Sequence, residues 1–335
     1  MVSVKLENIK SLEFLKDDIE KLEVFLGSLC NSLEGTLKEA VSNTLIAGGK
    51  RLRPIIFLIC AKTDDYDIDS LIPAAAAIEI IHTASLIHDD IIDKSALRRG
   101  RKTIHKRYDK DTAKFVGDYL FTHTFSLLNT YRDPDILMEM SVAAQNLVKG
   151  EFDQLKTKGN LKQDEGVYFR KIDEKTASLF KVSCVLGGML SASSEKDIKN
   201  MRSFGKYLGY AFQINDDLID LDYKRSAIEI GKPIGSDLRQ GNVTLPLIYA
   251  SREKGFRSGV KRLLIKDKIL ESDIKEIIDL MNNTNAVEKT KEKLGSYLDK
   301  AKAMAGRISG YDRRKGLEQV CRIIEESVSS KGAGN

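Results

Sequence analysis

Apolar residues recur along this chain with the period of an α-helix almost from end to end. Leu12, Leu15, Ile19, Leu22 and Leu26 fall on one stripe, so residues 8–47 are expected to form two amphipathic helices. Pro54 opens a helix over 54–62. Residues 68–93 form a longer one, apolar on nearly every side, with Ala74 to Ala77 permitting close packing. A loop at 94–111 leads to a helix at 112–130. The pair Asp133-Pro134, a cap followed by proline, starts another that runs to about Lys158. Helices follow at 164–191 and 195–222, then a glycine-rich loop over 231–246. Residues 247–330 read as further amphipathic helices with charged outer faces, and 331–335 as a frayed tail. Strand alternation, internal repeats and low-complexity tracts give no signal. The expected class is all-α, and no proline-, glycine- or serine-rich linker divides residues 1–335 into two domains.

Composition narrows the function without naming it. The net charge of +5 is modest and the signs are interleaved, which argues against a general nucleic-acid binder. The dense basic run from Lys94 to Lys110 suits small phosphorylated ligands, because it directly follows an acidic cluster. Cys30, Cys60, Cys184 and Cys321 are scattered through apolar contexts and read as reduced core thiols of a cytoplasmic protein. The N-terminus lacks a basic-then-apolar secretion pattern. The most apolar segment, 71–88, is interrupted by Glu79, His82 and Ser85 and is expected to be a buried helix, with no transmembrane segment.

The chemistry sits in two acidic clusters. Asp89, Asp90 and Asp93 stand at i, i+1 and i+4 near the end of the long apolar helix, followed by Arg98 and Arg99. That spacing is expected to put all three carboxylates on one face. Three such anions repel by about 4 kcal/mol per close pair at an effective dielectric near 20, so a cation belongs there. Hard oxygen ligands with room for water suit Mg²⁺ bridging carboxylates to phosphates. Such a triplet alone is more often a solvated helix face or cap. A second copy, Asp216, Asp217 and Asp220 after Gln213, changes the balance, because two matching acidic faces could clamp a metal-bound diphosphate. A third motif, Gly48-Gly49-Lys50-Arg51-Leu52-Arg53-Pro54, sets cations at a helix start, a natural phosphate site; alone it would read as a basic turn in solvent. Lys175, beside Thr176 on an apolar segment, would be costly to bury without an anion.

These motifs, in this order, resemble the trans-isoprenyl diphosphate synthases, or polyprenyl synthetases. The resemblance implies a bundle of long antiparallel helices around a deep apolar cavity, usually a homodimer. It also implies magnesium-dependent, head-to-tail condensation of isopentenyl diphosphate with an allylic diphosphate (dimethylallyl, geranyl or farnesyl). By that resemblance Asp89, Asp90, Asp93, Asp216 and Asp217 hold several Mg²⁺ ions, with Asp220 completing the second motif. Lys50, Arg53, His82 and Arg99 match isopentenyl diphosphate contacts. Arg98, Lys175 and Lys232 match allylic diphosphate contacts, and Thr176 and Gln213 line the place where positive charge develops. Lys102 stands where proline is frequent and Asn242 where lysine is frequent. A class I terpene cyclase shares the helices and an acidic motif but has no second diphosphate to bind. A non-catalytic subunit of a heteromeric synthase would be expected to have lost acidic residues.

In this family a bulky side chain four or five positions before the first acidic motif stops elongation. Here those positions are Ser85 and Ala84, both small, with Ile81 deeper. A helix rises about 5.4 Å per turn, comparable to one isoprene unit, so the growing chain passes this level. The expected product is geranylgeranyl (C20) or longer. Phe121 and Phe125, at i and i+4 on the facing helix, either supply a floor or simply pack the core.

Overall fold

The computed structural model describes residues 10–46, 48–222, 234–264 and 269–329. A 3₁₀ stretch at Lys10–Leu15 precedes α1 (Lys16–Asn31), α2 (Gly35–Leu45), α3 (Leu52–Ala61) and α4 (Ile68–Ile92). Then come two short strands, β1 (Leu97–Arg98) and β2 (Arg101–Lys102), and α5 (Ile104–Arg107). The long helices α6 (Lys110–Leu128) and α7 (Pro134–Thr157) follow, then α8 (Glu165–Ile172), α9 (Ser178–Leu190) and α10 (Glu195–Ile219). The chain ends with α11 (Ser236–Arg239), α12 (Leu245–Ala250), α13 (Lys254–Leu264), α14 (Glu271–Asn282), α15 (Ala286–Ala305) and α16 (Tyr311–Ser329).

The all-α expectation holds, with long antiparallel helices making one bundle. α4 packs along α6, α10 along both α9 and α15, and α3 against α4 and α9. Caps place the helix starts where the sequence puts them: Asp109, Asp133 and Ser194 each accept a backbone N–H at the first turns of α6, α7 and α10. The continuous apolar character of α4 follows from burial on several sides. Ala74 to Ala77, Ile78, Ile80 and Ile81 are fully enclosed. α4 is long and apolar enough to cross a membrane, but most of it is buried inside the protein, as a core helix is. All four cysteines are free thiols in the core.

Two local structures differ from the sequence expectation. The 94–111 loop contains a hairpin, with Leu97 opposite Lys102 and Arg98 opposite Arg101. Its turn residues, Arg99 and Gly100, both take positive φ, the arrangement that matches strand twist in a two-residue turn. The helix expected at 164–191 is interrupted by a π-helical turn, Asp173–Ala177, between α8 and α9. Such an extra residue in the ladder is strained and recurs at functional sites. Two glycines make room for it. A Cβ on Gly150 of α7 would meet the Lys175 backbone nitrogen at 2.7 Å, and one on Gly209 of α10 would meet Ala177 Cα at 2.6 Å.

Candidate active site

The π turn joins the two acidic clusters. Lys175 reaches back to the first, its Nζ 3.4 Å from Asp89 Oδ2, and pairs also with Glu151 of α7. The next residue, Thr176, donates 2.7 Å to Gln213 Oε1 in the second motif. Consecutive residues thus reach toward the two acidic motifs. Burial works against the Lys175 charge, yet Asp89 and Glu151 hold its pKa above the ordinary lysine value.

The three carboxylates of the first cluster do not share a face. A residue at i+1 is rotated by about 100°, and a partner waits there. Asp90 turns to the hairpin, where Arg98 Nε lies 2.8 and 2.9 Å from its two oxygens and Nη2 lies 2.7 Å from Oδ1. Asp89 faces Lys175, and Asp93 faces Lys158 at 3.4 Å. Burial pushes both Asp89 and Asp90 above the usual carboxylate pKa; Lys175 and Arg98 pull Asp89 back, and Arg98 alone does most of this for Asp90.

The second cluster divides more sharply. Asp216 is half-buried, whereas Asp217 and Asp220 are 2% and 1% exposed. Asp217 accepts from Tyr168 Oη at 2.7 Å, Gln213 Nε2 at 3.0 Å and the Leu245 N–H at 3.4 Å. Burial, then the nearby Asp237, push its pKa up to about 7 against those hydrogen bonds. Asp220 accepts from Ser236 Oγ at 2.8 Å and from the backbone N–H groups of Ser236 and Asp237 at 3.3 and 3.0 Å. It therefore latches the start of α11 beneath α10. Asn242 joins this latch at one remove, its Nδ2 3.2 Å from Asp237 Oδ1, while Lys102 is exposed on β2. Lys232 lies outside the described residues.

A cationic corner forms where α3 meets α4. Arg53 Nη1 stands 3.2 Å from His82 Nε2. Arginine only donates, so Nε2 is the acceptor and His82 is neutral, with its proton on Nδ1. Burial and then the Arg53 charge hold the His82 pKa well below its usual value. The Arg53 guanidinium lies 4.6 Å above the Phe180 ring, and burial brings its pKa down to about 10. Its Nε is buried without a hydrogen-bond partner among the described residues, a donor left for a ligand. Arg99 closes the corner by donating to the Gly48 carbonyl, and a Cβ on Gly49 would meet Arg99 Nη2 at 2.9 Å. Lys50 lines a small enclosed cavity with Phe212 and Asn215.

Arg51, between Lys50 and Arg53 in chain, does different work. Its guanidinium is buried against Glu79 at 2.7 Å, Glu23 at 2.6 Å and the Leu45 carbonyl at 2.8 Å. Glu79 is itself only 3% exposed. Arg51→Met is therefore expected to cost about 3–5 kcal/mol of folding stability, because it strands a buried carboxylate. Urea denaturation followed by circular dichroism reads this directly, and an unchanged midpoint would contradict it.

Sequence reasoning did not single out Glu151, Lys158, Tyr168 or Phe180 for the site. Glu151 stood in the visible run Gly150-Glu151-Phe152-Asp153-Gln154-Leu155. The other three carry no local signal and emerge only from packing.

The all-α bundle carries paired acidic helix ends and a separate cationic corner. Residues 34–281 match the polyprenyl synthetase family, and the chain belongs to it. It is a prenyltransferase of the trans-isoprenyl diphosphate synthase type. It is 36% identical to heptaprenyl diphosphate synthase component 2 of Bacillus subtilis, over 93% of this chain and 88% of that one. Octaprenyl diphosphate synthase of Escherichia coli is 33% identical over 76% of this chain and 78% of its own. The crystal structure of heptaprenyl diphosphate synthase from Staphylococcus aureus superposes with a TM-score of 0.86 at 29% identity, covering 93% of this chain and 98% of that one.

Proposed function

We propose that this chain condenses isopentenyl diphosphate head to tail with an allylic diphosphate, using Mg²⁺, to give an all-trans product longer than C20. One observation carries the reading: Lys175 touches Asp89 of the first acidic cluster while Thr176 touches Gln213 of the second. The relatives' names, from heptaprenyl to decaprenyl, support the longer end of the range.

Among the described residues no group of three His, Cys, Asp or Glu side chains forms a ready-made metal cage. That fits magnesium, which keeps much of its water and takes one or two carboxylates together with substrate phosphates. Asp89, Asp93 and Asp216 would hold it, with Asp90, Asp217 and Asp220 fixing the helix ends around them. Bound there, it supplies Lewis-acid stabilisation of the departing diphosphate. Lys175 adds a fixed positive charge on the same side, as does Arg98 once phosphate competes with Asp90. Arg53, with neutral His82 and Arg99, binds the second diphosphate. Ionisation leaves an allylic carbocation near Thr176 and Gln213, and the double bond of isopentenyl diphosphate attacks it. Enclosing apolar walls keep water from quenching the cation. No protein base is needed, because released diphosphate can take the final proton.

Mixing farnesyl diphosphate, labelled isopentenyl diphosphate and Mg²⁺, then chromatographing the dephosphorylated products, tests this. Incorporation of label into prenyl alcohols is expected; release of cyclic hydrocarbons without incorporation would instead indicate a terpene cyclase. Arg53→Ala is expected to raise KM for isopentenyl diphosphate about a hundredfold while changing that for the allylic substrate little, since a charge-assisted contact to phosphate is worth about 1.5–3 kcal/mol. Equal weakening of both substrates would contradict the division of sites.

The outer face of α7 exposes Met138, Val142, Val148, Phe152 and Leu155, and Phe115 of α6 is exposed too. A surface stripe of this kind favours a homodimer, and light scattering of the purified chain tests it. The Bacillus subtilis relative is called a component. Inactivity of this chain alone would point to a partner subunit.

A further inference from the structure

Tyr168 is 1% exposed, and none of the chemistry above uses its phenol. It heads a chain of three hydrogen bonds: Tyr168 Oη to Asp217 Oδ2 at 2.7 Å, Gln213 Nε2 to Asp217 Oδ1 at 3.0 Å, and Thr176 Oγ1 to Gln213 Oε1 at 2.7 Å. The residues come from α8, α10 and the π turn, so the chain also ties three elements together. One group fixes its direction. Asp217 accepts at both oxygens, Oδ2 from the Tyr168 hydroxyl and the Leu245 N–H and Oδ1 from the Gln213 NH₂, so the Gln213 oxygen is turned to Thr176. Thr176 must then donate its proton to Gln213. Its oxygen lone pairs are left for the cleft, where positive charge develops.

We propose that Tyr168 is a positioning residue of the condensation, holding Asp217 so that Gln213 orients the Thr176 oxygen toward the developing allylic cation. On this view Asp217 is an orienting acceptor and not a metal ligand. The inference rests on the condensation proposed above.

A double-variant cycle with Tyr168→Phe and Thr176→Val tests it, reading kcat and the KM of each substrate. Tyr168→Phe removes one oxygen atom and leaves every diphosphate-binding side chain named above in place. It is expected to lower kcat about 10–100-fold, the usual range for an outer residue that orients an inner one, with both KM values unchanged. The double variant is expected to lose no more than Thr176→Val alone, because both changes break one chain. Additive losses, or an effect confined to KM, would overturn the role. If Tyr168→Phe does not fold, Asp217→Asn takes its place in the cycle with the same two outcomes. A wild-type chain that fails to incorporate label overturns the synthase reading itself, whereas an active wild type with additive variants overturns only the role of Tyr168.

Discussion

Asp89→Ala is expected to lower kcat by about a hundredfold or more, the scale on which removing one preorganised electrostatic partner acts. The carboxylate stands at the cleft end of α4 and faces Lys175 of the π turn. Losing it would remove a proposed magnesium ligand and the Lys175 contact with Asp89, while the contact with Glu151 stays. The lysine would then be held less firmly at the proposed allylic diphosphate site. Asp216→Ala should match this loss from the opposite wall. Both changes should leave the far-ultraviolet circular dichroism intact, since both side chains are half-buried near helix ends and lie outside the apolar core. EDTA should abolish turnover of the wild type, and Mg²⁺ should restore it. Asp220→Ala is the control with a different signature: it releases the Ser236 and Asp237 latch, so stability should fall along with activity. Turnover that survives EDTA, or an Asp89→Ala enzyme with near-normal kcat, would remove the two-wall account.

The acidic clusters were legible because their information is local. Spacing within one helix turn is enough to bring Asp89 and Asp93 to the cleft, and the same logic places Asp216. What spacing could not reveal is which oxygen finds a protein partner. Asp90 is drawn off the shared face by Arg98, whose direction depends on a hairpin turn at Arg99 and Gly100. Asp217 is claimed by Tyr168 from α8, and Asp220 by the start of α11. The cationic motif before Pro54 misleads in the same way, since Arg51 serves Glu79 and Glu23 while Arg53 serves the site. Least legible was the π turn. Its sequence, Asp173 to Ala177, reads as ordinary helix, and the room for it comes from Gly150 and Gly209 on helices that meet only in the fold. Side-chain identity announces the chemistry, but tertiary neighbours decide which member of each cluster performs it.

A phenylalanine at position 85 or 84 is expected to shorten the product, proposed above to exceed C20, to C20 or less. Ser85 lies about 40° from Asp89 around α4, and His82 about 20° on the other side, so the three form one column down the cleft wall. All three are half-buried, whereas Ala84 is fully enclosed. The Ser85 hydroxyl is bonded to the His82 carbonyl at 2.8 Å and projects little bulk. On the proposed synthase reading, a growing chain would pass this level. Ser85→Phe puts a ring across the path at little cost in packing. Ala84→Phe should act similarly but strain the core, at about 1–3 kcal/mol for an overpacked site, so its melting temperature should fall. If the path continues to α6, it meets the Phe121 and Phe125 rings, which stand 5.7 Å apart. Phe125 also lines an open groove of about 580 Å³ with Leu137 and Met138 of α7. If its ring is the floor, Phe125→Ala opens the path into that groove and lengthens the product; if it only packs the core, length is unchanged and stability drops. Chromatography of dephosphorylated products from each variant reads the outcome. A wild-type enzyme that stops at C15, or a Ser85→Phe enzyme with the wild-type distribution, would show that chain length is set elsewhere.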